Sequence, residues 1–236
     1  MTPFALVRGA LADAGALRQV SEAVDADPAW RRDGPPLVRF NPHSSSLRAA
    51  DVAGLDLPAL AGAVLHGPAG PACRALVGDA VALDLDQCWV RRQYAPHRYP
   101  ALHAPHAWHQ DGALGFDFMA PDGAAAEGLL AMATCWIALT PCGEQAPGLE
   151  LVAEPDLPLL RPEALADEAV SLRHGREAMH RPRLAPGDAL VFGGGVLHHT
   201  HVAPSMTGDR TSLELRFFPA AQRPARLYGD RFLELT

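Results

Sequence analysis

The sequence contains no lysine, and all 20 of its basic residues are arginine. These arginines are outnumbered by 27 acidic residues, which gives a formal net charge of −7 and an isoelectric point near 5.8. A nucleic-acid-binding surface needs clustered positive charge, and no basic and aromatic stripe offsets the acidic balance of this sequence. We therefore expect no nucleic-acid partner.

Cysteines and long apolar runs are also scarce. Cys73, Cys88, Cys135 and Cys142 have neither Cys-x-x-Cys spacing nor the density of a disulfide scaffold, and we interpret them as small buried apolar residues. The longest uncharged apolar stretch, from Gly128 to Cys142, is too short to span a bilayer. The N-terminal segment lacks the basic start and the long apolar run of a signal peptide. We expect a cytoplasmic protein with no membrane partner.

Length and composition favour a single folded domain. Hydrophobic residues make up 48% and charged residues 20% of the 236 residues, which are ordinary values for a globular protein with a substantial core. Leucine and alanine recur at roughly helical spacing up to residue 79, and short strand-like segments follow. The sequence thus predicts a mostly helical part at 1–79, a β-rich core at 80–219 with a polar insert at 154–183, and a tail at 220–236. The predicted fold class is α+β, mainly β, built on a β-sandwich or barrel.

Histidine is the residue that the sequence has in excess, with 11 copies. Only one histidine has an acidic residue two positions later, in the motif His109-Gln110-Asp111. On an extended backbone, positions i and i+2 point to the same face, so both side chains can reach one ion. Two histidines and one carboxylate form the ligand set that binds Fe(II) with open coordination positions. Two clusters hold most of the histidines: His97, His103, His106 and His109, and then His198, His199 and His201.

The second histidine cluster supplies candidates for the third ligand. It lies in the strand-like segment LVFGGGVLHHTHV, 89 residues after His109. Arg210 follows His198 by twelve residues and opens the final predicted strand. A guanidinium near a metal can hold the far end of a dicarboxylate in a bidentate pair, with a hydroxyl group assisting.

The order of these motifs resembles the phytanoyl-CoA dioxygenase family. That order is His-Gln-Asp, a Trp-containing apolar strand, Gly-Asp-x-Leu-Val-Phe, Leu-His and then Arg, and the resemblance covers roughly Cys88 to Phe218. It implies a double-stranded β-helix, the jelly-roll or cupin-like core, with the N-terminal helices packed outside. It also implies an oxygenase that uses Fe(II), 2-oxoglutarate as cosubstrate and O₂.

The resemblance assigns the metal ligands. His109 and Asp111 match the paired ligands, and His198 matches the distal ligand, so these three would form the catalytic centre. The glycine run at Gly193 to Gly195 leaves the strand register open, and His199 is therefore a rival for the distal position. His198 is favoured because it follows an apolar Val-Leu step as the distal ligand of the family does.

The resemblance also assigns cosubstrate-binding residues. Arg210 matches the arginine that holds the distal carboxylate of 2-oxoglutarate, and Thr200 stands where a hydroxyl residue assists that arginine. Trp136 matches a tryptophan beside the cosubstrate pocket. Gln110, in the middle of the metal motif, and Gln93, on the strand before it, are further cosubstrate candidates.

The filled carboxylate position favours hydroxylation. Halogenating relatives replace the residue at Asp111 with a small one, so we expect hydroxylation of an unactivated C–H of a small metabolite, with release of succinate and CO₂. Two alternatives stay open: a Zn(II)-dependent hydrolase, which would have no need for Arg210, and a non-catalytic jelly-roll protein that binds a small ligand. The pocket rim is predicted at 95–108 and 154–183, and neither the substrate nor its binding residues nor the oligomeric state can be assigned from the sequence.

Overall fold

The computed structural model describes residues 3–26, 45–98, 105–115, 128–221 and 231–235. Its helices are α1 (Ala14–Ala26), α2 (Leu57–His66), α3 (Gly70–Val77) and α4 (Asp167–His174). Its strands are β1 (Phe4–Val7), β2 (Ser45–Arg48), β3 (Val81–Asp84), β4 (Trp89–Gln93), β5 (His109–Gln110), β6 (Ala133–Ala138), β7 (Gly148–Val152), β8 (Met179–His180), β9 (Ala189–Gly193), β10 (Leu197–His201), β11 (Arg210–Pro219) and β12 (Phe232–Leu235).

Within the described residues, the strands form two antiparallel sheets. The larger sheet has eight strands and runs β1-β9-β6-β11, after which β11 pairs with β4 near its start and with β3 near its end. β2 extends this sheet beside β4, and β12 extends it beside β3. The smaller sheet has four strands in the order β5-β10-β7-β8. Their inner faces share one apolar cluster, to which β6 and β9 contribute from the larger sheet and β7 from the smaller one.

β11 is the strand that separates the apolar core from the polar interior. From Ser212 to Phe217 its residues alternate strictly between polar and apolar, and both faces are buried. The outer face packs in the main apolar core together with residues of α2 and α3. The inner face is polar and lies between the two sheets. The outer residues are Leu213, Leu215 and Phe217, and the inner residues are Arg210, Ser212, Glu214 and Arg216.

Local signals in the sequence fix the helices that cover the larger sheet. Asp56 caps α2, because its Oδ1 accepts a hydrogen bond of 3.0 Å from the backbone N–H of Ala59. α3 ends at Gly78, whose φ of +83° lies in the left-handed region that a residue with a side chain rarely adopts. None of the described helices combines the length and the hydropathy that a membrane crossing requires.

The insert covers the outer face of the smaller sheet. Val170 of α4 and the preceding Leu157 and Leu160 pack against Leu197 of β10 and Trp108, which precedes β5. One end of the insert also joins the sheet itself, since β8 pairs with β7. The insert therefore belongs to the wall of the sandwich that carries the histidine-rich strand β10.

The structure differs from the predicted organisation at both ends of the chain. The predicted helical part contains two strands, β1 and β2, and the predicted tail contains β12. Each is only four residues long and lies at an edge of the larger sheet, so cross-strand pairing rather than local periodicity determines it. β3 alternates in sequence like a half-buried strand, yet all four of its residues are buried, and β11 and β12 pair with it on either side.

Candidate metal centre and its cavity

Three of the predicted ligands meet between the sheets. β5 and β10 pair in a register that sets His109 directly opposite His198, and Asp111 follows at the start of a 3₁₀ turn. The Oδ1 atom of Asp111 lies 3.7 Å from Nε2 of His109 and 4.0 Å from Nε2 of His198. The ligand atoms of all three residues lie within 4.8 Å of one another, so a single ion could bind all of them.

Backbone carbonyl groups orient both imidazole rings. Nδ1 of His109 lies 2.7 Å from the carbonyl oxygen of Ala107, and Nδ1 of His198 lies 2.9 Å from that of Val196. A carbonyl oxygen only accepts hydrogen bonds, so Nδ1 is the protonated nitrogen in each ring. Nε2 then keeps its lone pair for a metal, which is the arrangement that metal-ligating histidines commonly use.

The charge states of the three side chains also suit a metal. Desolvation, reinforced by the neighbouring His198, lowers the pKa of His109 to about 3, and burial lowers the pKa of His198 as well. Both rings are therefore neutral at neutral pH. Burial alone would raise the pKa of the Asp111 carboxyl, but Arg216 and the two histidines outweigh it and hold that pKa well below its usual range. Two neutral nitrogens and one carboxylate match the ligand set of non-haem Fe(II) sites.

Sequence analysis missed the two residues that support Asp111. Thr134 Oγ1 donates a hydrogen bond of 2.7 Å to Oδ2, and Arg216 Nη2 donates one of 2.8 Å to Oδ1. Arg216 also contacts Oε1 of Gln87 at 3.3 Å. A signal for Arg216 was present, because strand alternation places it on the same face of β11 as Arg210.

Arg210 lies in the interior with an unused hydrogen-bonding capacity. It is 2% exposed, its Nη1 donates a hydrogen bond of 2.7 Å to Ser212 Oγ, and its guanidinium carbon lies 5.1 Å from the ring centroid of Trp136. Among the described residues, its Nε has no hydrogen-bond partner. Burial lowers the pKa of Arg210 to about 10, so the side chain is still charged at neutral pH. A buried cation of this kind fits a carboxylate ligand.

The candidate metal ligands and Arg210 line one cavity. Besides the three ligands and Arg210, the predicted residues Trp136 and Thr200 line it. Its remaining described lining residues are Arg91, His106, Thr134, Leu149, Phe192 and Glu214. The structure therefore brings six of the eight predicted site residues to one cavity.

A second ion pair forms part of the cavity wall. Arg91 Nε lies 2.6 Å from Glu214 Oε1, and Arg91 Nη1 lies 3.2 Å from His106 Nε2. The side chains of Arg91 and Glu214 are only 9% and 8% exposed. Two buried charges that face the candidate metal centre give the cavity a strongly polar wall, which sequence analysis did not identify.

The two predicted glutamines do not line the cavity. The Gln110 amide is occupied by backbone groups of neighbouring loops: Nε2 donates to the carbonyl oxygens of Pro158 and Gly195 at 3.0 and 2.9 Å, and Oε1 accepts from the N–H of Leu160 at 2.8 Å. Gln93 lies opposite Arg210 in the β4–β11 pairing, is 2% exposed, and has an Oε1 atom without a hydrogen-bond partner among the described residues.

The register of β10 separates the two rival distal ligands. His198 and Thr200 point into the sandwich, whereas His199 lies on the outer face. There its Nε2 donates a hydrogen bond of 2.7 Å to Glu150 Oε2, and its ring stacks on Trp108 with the centroids 4.0 Å apart. His199 therefore lies outside the cavity that holds the other predicted ligands.

Comparison with known proteins gives a match in structure but not in sequence. No protein-family model matches the chain, and no curated protein matches it either. Among solved structures, the epimerase SnoN from nogalamycin biosynthesis, in complex with Fe³⁺, α-ketoglutarate and nogalamycin RO, is similar with a TM-score of 0.61 and 19% identity. That match covers 100% of this chain and 94% of SnoN.

Two further solved structures are also similar. EctD from S. alaskensis with bound Fe has a TM-score of 0.64 and 16% identity, over 94% of this chain and 74% of EctD. The α-ketoglutarate-dependent carbocyclase SnoK, also from nogalamycin biosynthesis, has a TM-score of 0.59 and 16% identity, over 100% of this chain and 92% of SnoK. This chain has the fold of these enzymes. The predicted jelly-roll fold class is thereby confirmed, while membership of the phytanoyl-CoA dioxygenase family stays a prediction.

Proposed function

We propose that the protein is an Fe(II)- and 2-oxoglutarate-dependent oxygenase that hydroxylates an unactivated C–H of a small-molecule metabolite and releases succinate and CO₂. One observation carries the proposal: a neutral two-histidine, one-carboxylate cluster and a buried arginine open onto the same cavity. The fold shared with Fe- and α-ketoglutarate-dependent enzymes supports the same assignment.

The three metal ligands line the cavity together. His109 Nε2, His198 Nε2 and an Asp111 oxygen would bind the metal, and Fe(II) bound there would supply O₂ activation and the oxidation of the substrate. Thr134 holds Oδ2 and Arg216 holds Oδ1 of the Asp111 carboxylate, so the carboxylate is fixed in orientation by both oxygens. The neutral imidazoles need lose no proton to bind a cation.

Arg210 provides the second anchor. Its guanidinium would hold the distal carboxylate of 2-oxoglutarate in a bidentate pair, while the Ser212 hydroxyl fixes one end of the fork. The Trp136 ring covers the guanidinium and keeps water from it. Thr200 lines the same cavity and would add a hydroxyl group to the cosubstrate site.

The outcome of the reaction is the finer part of the proposal. Similar structures include an epimerase and a carbocyclase, so the fold is compatible with several oxidations. Hydroxylation is favoured over halogenation because Asp111 fills the position at which a halide would bind. A Zn(II) hydrolase would explain the metal ligands but would leave the buried Arg210 without a purpose.

An anaerobic titration tests this function before any substrate is known. The metal-free protein receives Fe(II) and then 2-oxoglutarate, and we expect a saturable visible charge-transfer band from the chelate. Arg210→Gln should need at least about 100-fold more 2-oxoglutarate, since it loses a charged bidentate pair. Arg183→Gln, at a side chain that is 71% exposed, is the matched control and should behave as wild type.

Two results would contradict the proposed function. If no band appears, no succinate forms in air, and the purified protein holds zinc and works without O₂, the hydrolase replaces the oxygenase. If the band appears equally in Arg210→Gln, the cosubstrate site lies elsewhere.

A further inference from the structure

A second set of two histidines and a carboxylate lies on the outer face of β10. His199 and His201 are two residues apart and share that face, and Glu150 on β7 is paired directly with His199. The ligand atoms of these three side chains all lie within 4.8 Å of one another. This outer cluster is separated from the inner one by the strand itself.

The distances fit a single ion after small side-chain rotations. Glu150 Oε2 lies 2.7 Å from His199 Nε2 and 3.9 Å from His201 Nδ1. A tetrahedral Zn(II) ion with bonds of about 2.0–2.2 Å sets its ligand atoms roughly 3.3–3.6 Å apart. The two observed distances lie on either side of this range, so each pair needs to move by less than about 1 Å.

Neighbouring residues hold the outer cluster in place. Trp108 stacks on the His199 ring at an interplanar angle of 25°, and Arg181 Nε donates a hydrogen bond of 2.8 Å to Glu150 Oε1. The arginine thus fixes one carboxylate oxygen and leaves the other facing the imidazoles. In the inner cluster Arg216 instead contacts Asp111 Oδ1, the oxygen that faces the imidazoles. Because the Arg181 side chain is 54% exposed, water screens its charge from a cation bound nearby.

Solvent can reach this cluster. The side chains of His199 and His201 are 17% and 16% exposed, and a surface cavity beside them is lined also by Ser171, Met179 and Arg176. A water molecule in this cavity can complete a four-coordinate site. Imidazole nitrogens and a carboxylate oxygen suit Zn(II) among the common divalent cations.

We propose that Glu150, His199 and His201 form a second metal site, which binds Zn(II) independently of the inner centre. The ion would tie β10 to β7 across the smaller sheet. It would also fix Trp108 and His199, each of which adjoins an inner ligand in the chain. The site does not depend on the proposed oxygenase activity.

Equilibrium dialysis of the metal-free protein against Zn(II) tests the site by stoichiometry. Zinc also suits the inner ligands, so wild type should bind two equivalents, and His109→Ala should keep the outer one. His201→Ala and the isosteric Glu150→Gln should each bind only the inner zinc ion tightly. Loss of a residue that merely supports a ligand lowers metal affinity by about 10–100-fold, so loss of a ligand itself should lower the affinity of the outer site by more than that. His109→Ala/His201→Ala should bind neither ion tightly, and His66→Ala, which removes an exposed histidine of α2, should bind both.

Co(II) gives a second readout, because its visible absorption reports nitrogen and oxygen ligands at the site it occupies. In His109→Ala we expect a Co(II) spectrum that vanishes in His109→Ala/Glu150→Gln. Circular dichroism and the thermal midpoint establish that each variant is folded. If His109→Ala binds no zinc, or if folded His201→Ala and Glu150→Gln bind as much as wild type, the second site does not exist.

Discussion

Arg216 Nη2 donates a hydrogen bond of 2.8 Å to Asp111 Oδ1, so a buried guanidinium contacts the same carboxylate oxygen that lies nearest both ligand histidines. The side chains are 5% and 3% exposed, which makes this one of the most deeply buried ion pairs of the described chain. The pairing keeps Asp111 ionised before any metal binds. It also prevents the carboxylate from swinging out of the cavity.

Replacing Arg216 with methionine should destabilise the protein strongly. The change leaves the Asp111 carboxylate buried without its cation, a loss that typically costs about 3–5 kcal/mol of the free energy of unfolding. Urea unfolding of the metal-free protein measures it. In the double variant Arg216→Met/Asp111→Asn the cost should be smaller than in Arg216→Met alone; an equal or larger cost would show that the pair does not act as a unit.

Ser212 should tune cosubstrate affinity without determining it. Its Oγ accepts a hydrogen bond from Arg210 Nη1, so Ser212→Ala removes only the orientation of the guanidinium. We expect Ser212→Ala to raise the Kd for 2-oxoglutarate by about 3–10-fold, or about 0.7–1.4 kcal/mol, which is the range of one ordinary hydrogen bond, and Arg210→Gln to raise it far more. Fe(II) affinity should be unchanged in both. A larger effect in Ser212→Ala than in Arg210→Gln would overturn this assignment of roles.

Adjacent histidines of β10 should differ sharply in iron binding. His198→Ala removes an inner ligand and should abolish the band of the Fe(II)–2-oxoglutarate chelate. His199→Gln changes a side chain that contacts Glu150 and Trp108 on the outer face. It should therefore leave the Fe(II) affinity within about threefold of wild type, a change of under 1 kcal/mol. Anaerobic titration of both variants measures the difference. The reverse result would mean that β10 is shifted by one residue.

Stability of the metal-free protein should fall in mild acid. The unfolded chain binds a proton at each histidine near pH 6.5, whereas folded His109 remains neutral down to about pH 3. Between these values the unfolded state holds more protons, so stability is complete above pH 6.5 and is lost as the pH falls through this window. His198, whose pKa is also lowered, adds to the loss.

The variant His109→Gln is the control for this effect of acid on stability. From about pH 7 to about pH 5, His109→Gln should lose about 1 kcal/mol less unfolding free energy than wild type, because the substituted side chain does not titrate. Urea unfolding curves at a series of pH values give the slopes. Identical slopes in the two proteins would show that His109 is protonated normally in the folded state.

Gln110 should act on the fold rather than on cosubstrate binding. Its side chain makes three hydrogen bonds with backbone groups of two loops, and Gln110→Leu leaves those groups buried and unsatisfied. A loss of about 2–3 kcal/mol in unfolding free energy is expected, with the Kd for 2-oxoglutarate little changed in the folded fraction. An unchanged stability together with a weakened cosubstrate would restore the sequence-based assignment.

The sequence predicts the strands that carry the chemistry better than the edges of the sheet. β11 contains clear apolar alternation, and the facing of Arg210 follows from it. The glycine run before β10 left His198 and His199 as rivals, and only the pairing of β10 with β5 and β7 separates them. Arg216 escaped notice because a polar residue on an alternating strand usually indicates solvent, whereas here both faces of β11 are buried. Only the three-dimensional stacking of a second sheet over that polar face reveals that it lines a cavity.

Other features of the site depend on contacts between segments that are distant in sequence. Gln110 stands between two ligands, and nothing local shows that its amide is occupied by the loop around Pro158. Arg91 and Glu214 are 123 positions apart and meet only through the pairing of β4 with β11. Edge strands such as β12 carry too few residues for a periodic signal, and their partners determine them.

The three histidines of β10 also bear on how the chain reaches its native state. A slip of this strand by one residue would turn His199 and His201 inward and His198 outward, so a misaligned strand would still offer imidazoles to a metal on both sides. The correct alignment rests instead on the apolar contacts of Leu197 and on the Gln110 amide bound to the Gly195 carbonyl. Divalent ions present during refolding can therefore trap the shifted pairing. Recovery of native protein should be higher when the metal is added after the strands have paired.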